Sequence, residues 1–145
     1  MRILLDEDVG SQALEPLQRV LRGHEVSHVH GLGWSSKKDT FVLRDAAAQG
    51  FQVLVTNDAS QLDDPDETDA IKRSGLHHVR YGQRYDLGLS GLALALGALI
   101  AAMPLVMADL AKATGQRLVR INGLEPRGRH GIIDPIKEPP RYWPR

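Results

Sequence analysis

The chain has 145 residues, with 18 Lys/Arg balanced by 18 Asp/Glu and no cysteine, the size of one domain able to bury roughly 70% of its unfolded surface. Disulfides and Cys-ligated zinc are thereby excluded, which suits a reducing cytoplasm, the compartment expected here. The charge is uneven: residues 1–70 hold 6 Lys/Arg against 13 Asp/Glu and residues 71–145 hold 12 against 5, as in an acidic metal-binding face beside a basic one for polyanions, or as in ordinary surface charge unevenly written.

In chain order, Arg2 to Leu5 reads as a first strand, and Gly10-Ser11 turns it into a helix of roughly Gln12 to Leu21 that Gly23 ends. No apolar leader precedes that strand, so no signal peptide is expected. Glu25 to His30 reads as strand 2, and Gly31 to Trp34 as a loop. Ser36-Lys37-Lys38-Asp39 opens a second helix that stops at Gly50, and Gln52 to Thr56 is strand 3. Asp64-Pro65-Asp66-Glu67 is a helix start with an N-cap, a proline at N1 and a glutamate at N3. That helix ends near Ser74-Gly75, and His77 to Tyr81 is strand 4.

Leu87 to about Ala113 is a long helical stretch that Pro104 is expected to divide, and Arg117 to Ile121 is strand 5. From Leu87 to Ala108 there is no charged side chain, a length that would span a bilayer. Gly88, Ser90, Gly91 and Pro104 interrupt the run, and strand-like segments flank it. A buried or homodimer-forming helix is therefore expected, and no membrane association. Strands alternating with helices predict an α/β fold: a three-layer α/β/α sandwich with a mainly parallel five-stranded sheet over residues 1–121, followed by an extended Pro/Arg-containing tail over 122–145.

The chemistry-bearing residues gather at strand ends. Strand 1 delivers Asp6-Glu7-Asp8 and strand 3 delivers Thr56-Asn57-Asp58. In an open α/β sheet ligands bind beyond the carboxyl ends of the strands, so parallel neighbours would bring Asp6, Asp8 and Asp58 together. Mutual repulsion there is relieved by a hard, oxygen-seeking cation such as Mg²⁺. Asp8 returns to the Asp6 face by the period of two, either to bind the cation or to cap the first helix; Glu7 faces away and reads as structural. Asp39 in a first helical turn is equally a capping or dipole acid. Asp63 is a possible fourth acid, whereas Asp64 is most simply an N-cap. The six histidines lack zinc-site spacing and read as surface or loop residues. No Gly-x-Ser-x-Gly, P-loop or Gly-x-Gly-x-x-Gly is present, which removes hydrolase-elbow and nucleotide-loop readings.

Leu4-Leu5-Asp6-Glu7-Asp8, Gly23-His24-Glu25-Val26, Lys38-Asp39-Thr40 and Val53-Leu54-Val55-Thr56-Asn57-Asp58 together resemble the PIN-like domains over about residues 1–80. The nearest branch opens with Leu-Leu-Asp-Glu-Asn, later carries Val-Thr-Arg-Asp, and is related to VapC-type toxins of toxin–antitoxin pairs. The resemblance implies a ribonuclease that holds Mg²⁺ or Mn²⁺ on Asp6, Asp39 and Asp58, joined by Asp8 and with Asp63 as a substitute fourth acid. It implies RNA as substrate and a protein antitoxin as partner. Arg80, Arg84, Arg127 and Arg129 are the candidate contacts to the RNA backbone.

Other classes fit less of the chain. Leu5-Asp6-Glu7-Asp8-Val9 with Val55-Thr56-Asn57 resembles haloacid-dehalogenase-like phosphatases, with Asp6 as nucleophile and Asp8 as general acid, but a convincing later lysine and paired-acid motif are missing. A signalling receiver domain would need a Ser/Thr after strand 4 and a lysine after strand 5. A PIN-like module that binds a partner without cleaving RNA is the remaining alternative.

Overall fold

In a computed structural model, which describes residues 1–125 and 130–144, nine regular elements alternate along the chain. They are β1 (Arg2–Leu5), α1 (Leu14–Val20), β2 (Glu25–His28), α2 (Asp39–Ala48), β3 (Val53–Thr56), α3 (Pro65–Ser74), β4 (His77–Arg80), α4 (Leu89–Ala111) and β5 (Leu118–Arg120). The five strands form one sheet in the order β2-β1-β3-β4-β5, and every pairing is parallel. The predicted α/β sandwich is what the chain forms, with a sheet that is wholly rather than mainly parallel.

The strands are continuous apolar runs because both faces are covered. Ile3, Leu5, Val53, Val55 and Val79 point to one side and pack with Leu17 of α1 and with Leu99 and Met103 of α4. Leu4 and Leu54 alternate to the other side and meet Val42 and Leu43 of α2 and Ile71 of α3. Two helices on each face give the three layers.

From β1 the chain crosses to β2 on one side, whereas from β3 it crosses to β4 on the other. The carboxyl ends of β1 and β3 therefore flank the point where the strand order reverses, the usual ligand crevice of such sheets. Leu5 pairs with Val55 in register, and the Asp6 amide donates to the Val55 carbonyl at 2.9 Å. The ladder thus continues one residue past β1 and fixes where Asp6 leaves the sheet.

Several boundaries differ from the sequence reading. β2 stops at His28, because Val29–Leu32 curls into a 3-10 turn. Pro104 does not divide the long helix: α4 runs unbroken from Leu89 to Ala111. Pro104 is exposed, and the helix continues past it without the hydrogen bond that its missing N–H would have made. His28 and His78, read from sequence as surface residues, are buried at 3% and 1% exposure. The His28 ring closes on the Val9 carbonyl at 2.7 Å.

Gly91 sets how closely α4 approaches the loop before it. A Cβ there would run into the Arg84 carbonyl oxygen and come within 3.3 Å of Leu87 Cβ. Backbone on one side and helix on the other leave little room to give. Gly91→Ala is therefore expected to destabilise the protein by about 1–3 kcal/mol through overpacking, although alanine is the better helix former by about 1 kcal/mol. Urea titration of the two proteins checks the sign; a stabilised variant would show that the loop yields freely.

Candidate metal centre

The strand ends are organised by Thr56 and Asp8. Thr56 Oγ1 donates to the Asp8 carboxylate at 3.1 Å and accepts from the Asp58 amide at 3.0 Å. The Asn57 amide also donates to Asp8, at 3.0 Å. Asp8 therefore binds the end of β1 to the end of β3 and does not cap the first helix. Asp58 folds back on its own turn, accepting from the Ser60 amide at 2.8 Å and the Ser60 hydroxyl at 2.6 Å. Glu7, just past the end of β1, accepts from the Ser36 amide at 3.0 Å, and its charge reaches Asp39. That bond orders the loop that delivers α2.

Two helices complete the cluster. No side chain caps α2, whose N-cap is Lys38, so Ser36 and Asp39 do not form the capping pair their spacing suggests. Asp64 caps α3, accepting from the Asp66 amide at 2.8 Å and the Glu67 amide at 3.0 Å, which turns Glu67 towards the sheet edge. One carboxylate oxygen each from Asp39, Asp58 and Glu67 lies within 4.8 Å of the others. Glu67 is the acid that sequence reasoning missed, because an N3 glutamate behind an Asp-Pro start reads as part of the cap. Asp63 is exposed at the end of the 3-10 turn Ala59–Asp63 and lies outside this cluster.

Asp6 stands beside the cluster and is joined to it by Gln61. The Gln61 amide nitrogen donates to Asp6 Oδ2 at 3.2 Å and to Asp39 Oδ2 at 3.3 Å. Asp6 also accepts from the Glu7 amide at 2.8 Å. Asp6 is 5% exposed and Gln61 1%.

Burial first, and neighbouring charge after it, raises the proton affinity of Asp6, Asp8, Asp39 and Glu67. Burial raises the Asp6 carboxyl above the ordinary carboxylate value, and the Asp8 charge adds to it. Asp8 is raised by burial, partly offset by the donors from Asn57 and Thr56. Asp39 is raised by burial and by the Asp6 charge. Glu67 is raised by burial and then by Asp39, Asp64 and Asp58. Among the described residues no cation lies within salt-bridge distance of Asp6, Asp8, Asp39, Asp58 or Glu67 in the ion pairs the fold forms. An oxygen-only, negatively charged donor set of this kind fits a hard divalent cation.

A pH effect on the metal-free protein follows. Because the folded carboxyl of Asp6 is raised, the native state binds more protons than the unfolded chain between the two pKa values, and stability falls as pH rises through that window. Asp6→Asn removes the penalty. In the presence of chelator its melting temperature is expected to exceed the wild type's at pH 8, with the gain shrinking as pH falls towards 4. A gain that does not depend on pH would mean that charge is not its cause.

Next along the same edge is a basic cleft. Arg80 ends β4 and is in register with Arg120 of β5. With Tyr81, Arg84 and Asn122 they line a cleft of about 310 Å³. Burial and then the Asp8 charge push the Tyr81 hydroxyl up. The Tyr85 hydroxyl accepts from Asn57 Nδ2 at 3.0 Å across the gap. Arg84 is paired with Asp86 at 2.8 Å. Arg120 was not singled out from sequence, although its place at the end of the last strand is the signal. Arg127 and Arg129 lie outside the described residues.

A family model described as "PIN like domain" matches residues 1–82. That span runs from β1 through β4 and contains Asp6, Asp8, Asp39, Asp58, Gln61 and Glu67. No curated protein and no solved structure matches the chain.

Proposed function

The chain belongs to the PIN-like domain family, a nuclease-type fold, and on that premise we propose that it is a metal-dependent endoribonuclease. The observation that carries the reading is the meeting of Asp39, Asp58 and Glu67 oxygens within 4.8 Å at the reversal point of the sheet. Mg²⁺ or Mn²⁺ is the cation proposed, because both take carboxylate oxygens.

Each part of the edge has a task in this reading. Asp39, Asp58 and Glu67 hold the cation, and Asp6 supports the site from its nearly buried position. A bound divalent ion supplies an activated water and neutralises charge on the phosphate. Arg80, Arg84 and Arg120 hold the RNA backbone in the cleft beyond β4 and β5, so that a phosphodiester lies over the acids. The phosphatase reading loses support here. Its nucleophile would be Asp6, which is 5% exposed, and its general acid Asp8, which is held by Thr56 and Asn57.

The proposal extends to a toxin role with a protein antitoxin, and to a homodimer. Leu118, on the outermost strand β5, is an exposed apolar side chain at a sheet edge that a protein partner can cover. Purified protein is expected to cleave single-stranded RNA in Mg²⁺ or Mn²⁺ and to stop when chelator is added. Induced expression is expected to arrest growth, and light scattering to report a dimer. Tight Mn²⁺ binding without cleavage of any RNA in a broad panel would instead favour the partner-binding module.

A further inference from the structure

The residue that bridges Asp6 and Asp39 is uncharged and has no motif. Gln61 sits in the 3-10 turn after β3 and is 1% exposed. Its backbone carbonyl accepts from Thr68 Oγ1 of α3 at 3.4 Å. Its amide nitrogen faces Asp6 and Asp39, and its amide oxygen faces His78 Nε2 at 3.0 Å.

Only one orientation of that amide is chemically sound. Flipped, its oxygen would confront two carboxylates and both N–H groups would turn to the imidazole. In the observed orientation each N–H serves one carboxylate, and the oxygen requires a donor. His78 must then carry its proton on Nε2. This leaves Nδ1 as a bare acceptor, and Nδ1 is a buried atom without a hydrogen-bond partner. Burial and then the neighbouring Arg80 charge lower the affinity of His78 for a second proton. The fold accepts one orphaned nitrogen and gains a fixed tautomer.

We propose that Gln61, locked in one orientation by His78, is a positioning residue that sets the Asp39 carboxylate for the cation by tying it to the supporting Asp6. The inference rests on the metal-site reading above. It deepens that reading by naming what holds two mutually repelling acids, from different elements, in one geometry before a cation arrives. Groups that hydrogen-bond metal ligands from behind typically alter metal affinity about 10–100-fold when removed.

The test is Mn²⁺ titration by calorimetry on the full chain, with thermal melts of each metal-free protein. Gln61→Met keeps the volume and removes both donors; its Mn²⁺ affinity is expected to fall about 10–100-fold with a cooperative melt retained. His78→Leu leaves Gln61 free to turn and is expected to lose affinity over the same range. His78→Gln places an amide donor where Nε2 stood and is expected to stay within about threefold of wild type, since the amide replaces the same single donor. That rescue separates positioning from mere core packing. Should Gln61→Met not fold, the two His78 variants decide. Wild-type affinity in Gln61→Met, or equal loss in His78→Leu and His78→Gln, would overturn the proposal. A wild type that binds no Mn²⁺ would overturn the metal-site reading itself, and this inference with it.

Discussion

Asp58→Asn is expected to abolish Mn²⁺-dependent RNA cleavage, with a loss of roughly a thousandfold or more. Bound metal contributes several kcal/mol to such a reaction, and each 1.36 kcal/mol is about tenfold in rate. Asp58 is a suitable first target because its carboxylate lies in the cluster with Asp39 and Glu67, while its side-chain hydrogen bonds are confined to Ser60 in its own turn. Asparagine keeps an oxygen for those local bonds and removes the charge. The variant should therefore melt close to wild type while losing Mn²⁺ in calorimetry.

The same assay ranks the remaining acids. Asp39→Asn and Glu67→Gln are expected to behave like Asp58→Asn, since each contributes an oxygen to the cluster. Asp6→Ala is expected to lose cleavage with the fold retained. Asp63→Asn is expected to be neutral, because Asp63 is exposed and outside the cluster. A damaging Asp63→Asn beside a harmless Glu67→Gln would reverse the assignment of the fourth acid. Cleavage that persists in Asp58→Asn would indicate a contaminating nuclease.

Strand-end carboxylates were legible in the sequence because topology alone places them. A parallel sheet whose strands end in Asp6 and Asp58 must bring those residues to one edge, and the ladder bond from the Asp6 amide to Val55 shows how directly it does so. Asp39 was ambiguous, since an acid in a first helical turn has its own reason to be there. Its spacing from Ser36 pointed to a cap that does not form. Glu67 and Gln61 were hidden for different reasons. The glutamate sits where a capping acid would, and the glutamine occupies a turn whose burial depends on how α3 and β4 close over it. Periodicity carries no signal for a lone polar residue that becomes buried only through tertiary packing. His78 was misread on the same ground: the two histidines that open β4 look alike in sequence, and only tertiary packing buries His78 while leaving His77 half-buried.

The fold itself was more legible than its details. Alternating apolar runs and helical segments specify a parallel sheet with helices on both faces, and the glycines at 23, 50 and 75 mark element ends with positive φ. What periodicity does not give is the behaviour of α4. A helix apolar on every side offers no stripe from which to read its orientation, and α4 is long and apolar enough to cross a membrane by length and composition. Its placement against the sheet follows from packing: Gly91, Ala95, Ala98, Leu99, Met103, Met107 and Leu110 form the buried side.

Leu99→Ala is expected to destabilise the protein by about 2–5 kcal/mol, the usual cost of truncating a fully buried leucine in a core that cannot collapse around the cavity. Leu99 is 0% exposed and belongs to the cluster formed with Ile3, Leu5, Val53 and Val55. The sheet behind it is hydrogen-bonded on both sides of β1 and β3 and has little freedom to move inward. Against a total stability of about 5–15 kcal/mol, that loss is a large share. Leu105 lies six residues along the same helix with 72% of its surface exposed, and Leu105→Ala is expected to stay within about 0.5 kcal/mol of wild type. Urea unfolding of protein prepared without detergent measures both, provided the denaturant slope is unchanged so that a midpoint shift reports stability alone. The contrast between two chemically identical truncations is the informative quantity. A large loss at Leu99 alone places α4 as the inner wall of a water-soluble fold. A comparable, concentration-dependent loss at Leu105 would place that face inside a homodimer. Recovery only from membranes would mean that lipid, rather than the sheet, is the partner of this helix.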